Sequence, residues 1–188
     1  MSWNRSSRYN RFVSARLVNI AIGLGSNMGD REALLAMGRD ELAKHGVFWT
    51  AFSSIYESDP VGPVQEQGPF LNQTAIGETE LPPLALWGLC LAAERLAGRE
   101  RKQHWGPRTL DLDILLYGDA PVNEPGLIVP HRELTRRAFV LTPLAEIAPE
   151  WVVPGEDRMV RALAAALPPE GGVRLWQSSA MKRQTLAE

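Results

Sequence analysis

Apolar positions change their period several times along the chain, and each change marks a boundary. Val18–Gly25 (VNIAIGLG) is a continuous apolar run closing on glycines, the pattern of a central strand feeding a tight loop. From Arg31 to Lys44, Ala33, Leu34, Met37 and Leu42 recur at helical spacing behind Asp30, whose carboxylate can cap the first turn. Residues 47–56 are rich in β-branched and aromatic side chains and read as a strand, as do residues 70–78. Between them, Ser58–Gly68 (SDPVGPVQEQG) carries two prolines and two glycines and predicts a mobile surface loop. Pro83 suits the first turn of a helix reaching Ala97, with Gly98 as its stop. Arg99–Pro107 (RERKQHWGP) is a second polar loop, and Leu110–Tyr117 (LDLDILLY) opens in strict alternation, as a strand does. A short strand over 127–131 and helices over 139–148 and 158–167 complete the pattern.

Strands and helices alternate irregularly, and the strands at 47–56 and 70–78 are joined by a loop alone. That favours α+β, with a largely antiparallel sheet and helices packed on it, over a strict parallel βαβαβ arrangement. No internal repeat or linker divides the chain. The expectation is one domain over residues 18–177, a disordered extension over 1–17 and a frayed tail over 178–188.

Composition narrows the function. Of 188 residues, 45% are hydrophobic and 22% charged, which is globular rather than disordered. A formal net charge of −2 argues against nucleic acid as a partner, so any anion site must come from local clustering of bases. The one cysteine, Cys90, lies in an apolar run. It reads as a buried structural thiol, with no intrachain disulfide and no cysteine-rich zinc site possible. Its reduced state fits the cytoplasm. No apolar run reaches the roughly 20 residues of a membrane helix. The first sixteen residues hold Arg5, Arg8, Arg11 and Arg16, four serines and no acid. In composition they resemble an organelle transit peptide, although a disordered extension is the preferred reading.

The chemistry centres on Asp111 and Asp113. In a strand these two carboxylates point to one face while Leu110, Leu112 and Ile114 point to the other. Adjacent carboxylates repel unless cations sit between them, and Mg²⁺, a hard cation with oxygen ligands, is the natural one. Taken alone, a D-x-D reads more readily as a surface strand with two solvated acids. Its upstream neighbours change that weight. Arg99, Arg101, Lys102, His104 and Arg108 are opposed only by Glu100. A basic loop beside a metal-binding acid pair is what phosphoryl transfer requires. The common nucleotide signatures are missing. G-x-G-x-x-G fails because position 28 is Met. The sequence also contains no G-x-x-x-x-G-K-[ST], no H-R-D with D-F-G and no G-x-S-x-G.

The run Trp105-Gly-Pro-Arg-Thr-Leu-Asp-Leu-Asp-Ile-Leu-Leu-Tyr-Gly118 resembles the signature of 6-hydroxymethyl-7,8-dihydropterin pyrophosphokinases. Other pieces follow in that family's order: Gly23–Asn27, Tyr56–Pro63, Phe70-Leu-Asn72, Glu94, Gly98-Arg99, Val129-Pro-His131, Arg137-x-Phe139 and Pro143–Pro149. The resemblance covers about residues 18–167. It implies a ferredoxin-like α+β fold, a mainly antiparallel sheet with helices packed on both sides. It implies transfer of diphosphate from ATP to the hydroxymethyl group of a reduced pterin, giving AMP, in folate biosynthesis.

The resemblance also implies roles. Asp111 and Asp113 match ligands of two Mg²⁺ ions, and Arg99 and Arg108 match catalytic arginines. Glu94, Arg101, Lys102, Ile114, His131, Arg132 and Arg137 fall on the ATP side. Asn27, Ser58, Asp59, Val61, Phe70, Asn72, Trp105 and Phe139 fall on the pterin side. Within that set Asn72 reads the ring edge, the two phenylalanines stack on its faces and Trp105 closes over the site. Asn supplies both a donor and an acceptor for such an edge, and a flat heterocycle gains roughly 1 kcal/mol per stacked face beyond burial. Outside that context, two phenylalanines read as ordinary core. Two departures stand out. Arg132 stands where some members carry Tyr, and the second loop is one residue shorter than in some relatives.

Two other readings compete. A nucleotidyltransferase also uses Gly-Ser and D-x-D, but Gly25-Ser26 and Asp111 are too far apart for its compact hairpin. A non-catalytic binding module of the same fold gives no reason for the aspartates and the arginine loops to occur together. The expected partners are small molecules, ATP and the pterin, with no nucleic acid and no membrane, acting on a monomer or weak homodimer.

Overall fold

The computed structural model describes residues 16–64, 66–99, 106–168 and 172–177. The tail expected from Ser178, and all but the last two residues of the expected extension, lie outside these.

The apolar run at the start becomes the inner strand β1 (Val18–Ser26), with β4 (Phe70–Thr79) on one side and β5 (Asp111–Tyr117) on the other, both antiparallel. A strand flanked on both edges and covered on both faces over much of its length is largely apolar. Ile20, Ile22 and Leu24 face α1 (Arg31–Lys44) and α2 (Pro83–Leu96), where they meet Leu35, Leu42, Leu86 and Cys90. Ala21 faces the opposite way, into a second core with Leu141 and Leu144 of α3 (Ala138–Ile147) and Val160 and Leu163 of α4 (Val160–Ala165). The result is the expected ferredoxin-like α+β arrangement, with helices on both sides of the sheet. The Asp30 carboxylate caps α1 by accepting from the Ala33 N–H at 3.1 Å. Gly98, at φ +73°, turns the chain out of α2. Cys90 is fully buried, and burial pushes its thiol up to about 12, as a structural cysteine requires.

The strand expected over 47–56 is two strands, β2 (Val47–Phe52) and β3 (Tyr56–Ser58), both paired with β4. The break is chemical. Ser53 N–H donates to the Thr74 carbonyl at 2.9 Å, while Ser53 Oγ accepts from the Thr74 N–H at 3.0 Å. A side chain thus takes one ladder position, and the strand re-enters at a new angle. Two small hairpins lie outside the main sheet: β6 (Val122–Glu124) with β7 (Leu127–Val129), and β8 (Val152–Val153) with β9 (Arg158–Met159). The last helix is therefore shorter than expected, since Arg158 and Met159 are spent on a strand.

A further strand, β10 (Arg174–Leu175), adds to the edge of β3. Trp176 anchors it: its N–H donates to the Ile55 carbonyl at 2.8 Å and its indole N–H to Glu32 at 2.9 Å. The Arg31 guanidinium lies 4.9 Å from the centre of the same ring and donates to the Pro69 carbonyl at 2.8 Å. Trp176→Ala is expected to destabilise the domain by about 2 kcal/mol, less than the usual loss for a core tryptophan because the ring is half-buried. A urea transition unchanged from wild type would show that β10 is not part of the cooperative unit.

Candidate active site

The sheet itself shapes the site. Gly23 on β1 lies between Thr74 on β4 and Asp113 on β5, and Gly25 lies between Asn72 and Asp111. Strand alternation puts all four flanking side chains on one face, and the two glycines leave a trough between them. A Cβ at Gly23 would come within 3.2 Å of Leu115. Asn72 and Thr74 wall one side of the trough and the aspartates the other.

Two cavities open from it. The first is bordered by Phe70 and Asn72, by Asp59 and Val61 from the loop after β3, and by Phe139 and Val140 at the start of α3. The second runs along Trp87 and Leu91 of α2, Leu127 and Ile128 of β7, and His131 and Arg132 beyond it. Arg108, Asp111, Asp113 and Arg137 border both. A mainly apolar pocket and a cleft lined by charges of both signs therefore meet at one pair of carboxylates.

Asp111 is already engaged. It accepts from Arg99 and from Arg108, one guanidinium on each oxygen. Arg99 is shared with Glu94, which is 3% exposed and also accepts from the Leu112 N–H at 3.0 Å. Asp113 is different. The only ion pair it forms among the described residues is a distant one to His131 Nε2, at 3.9 Å. Burial first, then Asp111 and Glu94, push its carboxyl up to about 7, although 43% of the side-chain surface remains open. His131 is held low by burial and by Arg137, which favours its neutral imidazole. The Arg137 guanidinium sits 5.6 Å from the Phe139 ring centre and 4.0 Å from a Glu133 oxygen.

The expected residues take unequal places. Phe70, Asn72, Asp59, Val61 and Phe139 border the first cavity, and so does Ser58, which is buried and accepts from the Asn72 amide at 2.8 Å. Glu94, Arg99, His131 and Arg132 border the second, as does Ile114, whose side chain packs in the core below. Asn27 does not border either cavity. Its amide nitrogen donates to Gln67 and the Gly68 carbonyl, and its oxygen accepts from the Arg108 N–H at 2.7 Å. It ties the end of one loop to the end of the other. Arg101, Lys102 and Trp105 lie outside the described residues. Not anticipated from sequence were Gln67, Thr74, Leu115 and Val140 in the first cavity, and Trp87 and Leu91 in the second.

The carboxylate pair has the chemistry of a hard-cation site. Among the described residues no group of three or more His, Cys, Asp or Glu could hold a metal ion. Mg²⁺ needs only one or two protein carboxylates when waters and substrate phosphates complete its shell. The unfavourable charge at Asp113 is what a cation there would relieve.

Comparison with known proteins shows the family. A family model described as 7,8-dihydro-6-hydroxymethylpterin-pyrophosphokinase matches residues 21–149. A 2-amino-4-hydroxy-6-hydroxymethyldihydropteridine pyrophosphokinase of Methylorubrum extorquens is 45% identical over 151 residues, covering 80% of this chain and 94% of that protein. The enzyme of the same name from Bacillus subtilis is 43% identical over 161 residues, covering 85% and 91%. Among solved structures, a triple mutant of Plasmodium falciparum HPPK-DHPS with pteroate superposes with a TM-score of 0.63 at 15% identity, which speaks for the fold alone. That match covers 80% of this chain and 43% of the longer Plasmodium chain. The chain belongs to the 7,8-dihydro-6-hydroxymethylpterin-pyrophosphokinase family.

Proposed function

We infer that this protein transfers the diphosphate of ATP to 6-hydroxymethyl-7,8-dihydropterin in folate biosynthesis. The observation that carries the reading is the meeting of two unlike cavities at Asp111 and Asp113. The pterin belongs in the first cavity, its ring between Phe70 and Phe139 and its polar edge at Asn72. ATP belongs in the second, with His131, Arg132 and Arg137 toward the nucleotide and Arg99 and Arg108 toward its phosphates. Arg101, Lys102 and Trp105 would join from the second loop.

In the reaction the hydroxymethyl oxygen forms a bond to the β-phosphorus of ATP. The bond from that phosphorus to the α,β-bridging oxygen breaks, AMP leaves with the bridging oxygen, and the hydroxymethyl proton is lost to solvent. Most of the catalysis is positioning and charge neutralisation. Arg108 and Arg137 border both cavities and can therefore hold phosphate oxygens while the pterin is in place. Two Mg²⁺ ions held by Asp111 and Asp113 would supply further neutralisation of those oxygens. No helix of the described residues is long and apolar enough to cross a membrane. We place the enzyme in the cytoplasm, as a monomer or weak homodimer.

The decisive experiment is a product assay with ATP, Mg²⁺ and the hydroxymethyl pterin. AMP and pterin diphosphate should appear together, and neither without the pterin. Release of inorganic diphosphate with a nucleotidylated product would instead indicate a nucleotidyltransferase.

Phe139→Ala is expected to weaken pterin binding about tenfold, from lost stacking and burial, and ATP binding by less than threefold. Separate calorimetric titrations measure both. Equal losses would make Phe139 a packing residue instead.

A further inference from the structure

We propose that Thr74 is a specificity-determining contact of the pterin pocket, its hydroxyl bonding the ring on an edge that Asn72 does not read. The inference rests on the placement of the pterin given above. Thr74 is 1% exposed, and its Oγ1 has no hydrogen-bond partner among the described residues. A buried hydroxyl left unpaired is costly and calls for a cause.

Local structure does not supply a partner. Both main-chain groups of Thr74 are spent on Ser53, and in a strand the side chain has no carbonyl one helical turn back to bond. Its position supplies the cause. Thr74 borders the cavity, on the same face as Asn72 and directly across Gly23 from Asp113. Gly23 carries no side chain, so nothing on β1 stands between the hydroxyl and the trough. The other buried hydroxyl without a partner among the described residues, Thr109 Oγ1, does not border this cavity.

A hydroxyl donates and accepts at once, so it can meet either a ring nitrogen or a ring N–H. Asn72 lies one step nearer the start of β4 and the loop after β3. Thr74 lies one step deeper. A planar ring stacked between Phe70 and Phe139 therefore presents different atoms to the two residues. Asn72 and Thr74 together would fix its rotation in the plane, aiming the hydroxymethyl group at the aspartates.

The test compares Thr74→Val with Thr74→Ser. Valine keeps the shape and the strand preference but removes the hydroxyl. 6-Hydroxymethylpterin is titrated in the presence of a non-hydrolysable ATP analogue, and thermal unfolding of each free protein is recorded. Thr74→Val should bind the pterin about five- to tenfold more weakly, with analogue affinity within twofold of wild type. Its melting temperature should be no lower, because an unpaired buried group has been removed. Thr74→Ser should stay within about threefold of wild-type pterin affinity, the hydroxyl being retained. If valine does not fold, Thr74→Ala carries the same comparison. Pterin affinity within twofold of wild type in the hydroxyl-free variant overturns the proposal. So does a serine variant as weak as the valine one, which would credit the methyl group. A wild-type protein that binds no pterin would sink the functional reading as well, and so is told apart from failure at Thr74 alone.

Discussion

Asn in place of Asp113 is expected to lower single-turnover diphosphate transfer by at least about 10²-fold at saturating Mg²⁺, and to leave the fold no less stable than wild type. The two halves of this expectation come from one piece of geometry. Asp113 faces Asp111 and Glu94 with no close cationic partner of its own among the described residues; the nearest ion pair, to His131, is at 3.9 Å. In the free protein its negative charge is a burden, and a neutral isostere removes it. In the working complex that same charge anchors a cation against phosphate oxygens, and the isostere cannot. Asp111→Asn should lose as much activity but also some stability, because Arg99 and Arg108 both lean on its oxygens. Rapid-quench transfer assays with urea melts separate these effects. An Asp113→Asn enzyme that folds and stays within threefold of wild type would remove the metal role from this pair.

Much of this site was legible because strand chemistry is local. LDLDILLY alternates, so one face for the two aspartates follows from the period alone, and the structure keeps it: Leu112 and Ile114 are buried below while Asp111 and Asp113 border the cavities. The apolar run at β1, the Asp30 cap and the glycine after α2 are equally local signals, and each sits where its residue type predicts. What was not legible depends on partners distant in sequence. Nothing in the sequence of 47–56 says that Ser53 will use its side chain for Thr74 and split the strand. Arg174–Leu175 is a strand only because the edge of β3 is there to receive it. Nothing near Asn27 in sequence says that its side chain will bond Gln67, Gly68 and Arg108 at both ends. Thr74 shows the opposite failure. The parity that singled out the aspartates also applies to β4, but without the Gly23 pairing nothing links that hydroxyl to the trough.

Glu94 borders the second cavity but spends its carboxylate on Arg99 and the Leu112 N–H, and its substitution should have the largest effect on stability. Resemblance puts it on the nucleotide side. The structure places it in the last turn of α2, 3% exposed, accepting from Arg99 and from the Leu112 N–H. A carboxylate is disfavoured at a helix C-terminus by the local dipole and disfavoured again by burial. Among the described residues, a guanidinium and a backbone N–H converge on it and make it tolerable there. It therefore joins three parts of the site: the end of α2, the start of the second loop at Arg99, and β5 between the two aspartates. Glu94→Ala strips two buried donors of their acceptor and should cost about 3 kcal/mol, toward the lower end for a broken buried pair because Arg99 keeps Asp111. Glu94→Gln keeps an acceptor for the Leu112 N–H but loses the charge facing Arg99, and should cost about half as much. Activity should fall in both, in step with the loss of order at Arg99 and Asp111. Urea unfolding and nucleotide titration of the two variants decide the matter. If both remain within about 0.5 kcal/mol of wild type while ATP affinity drops tenfold, Glu94 acts on the nucleotide directly and not through the scaffold that carries Asp111 and Asp113.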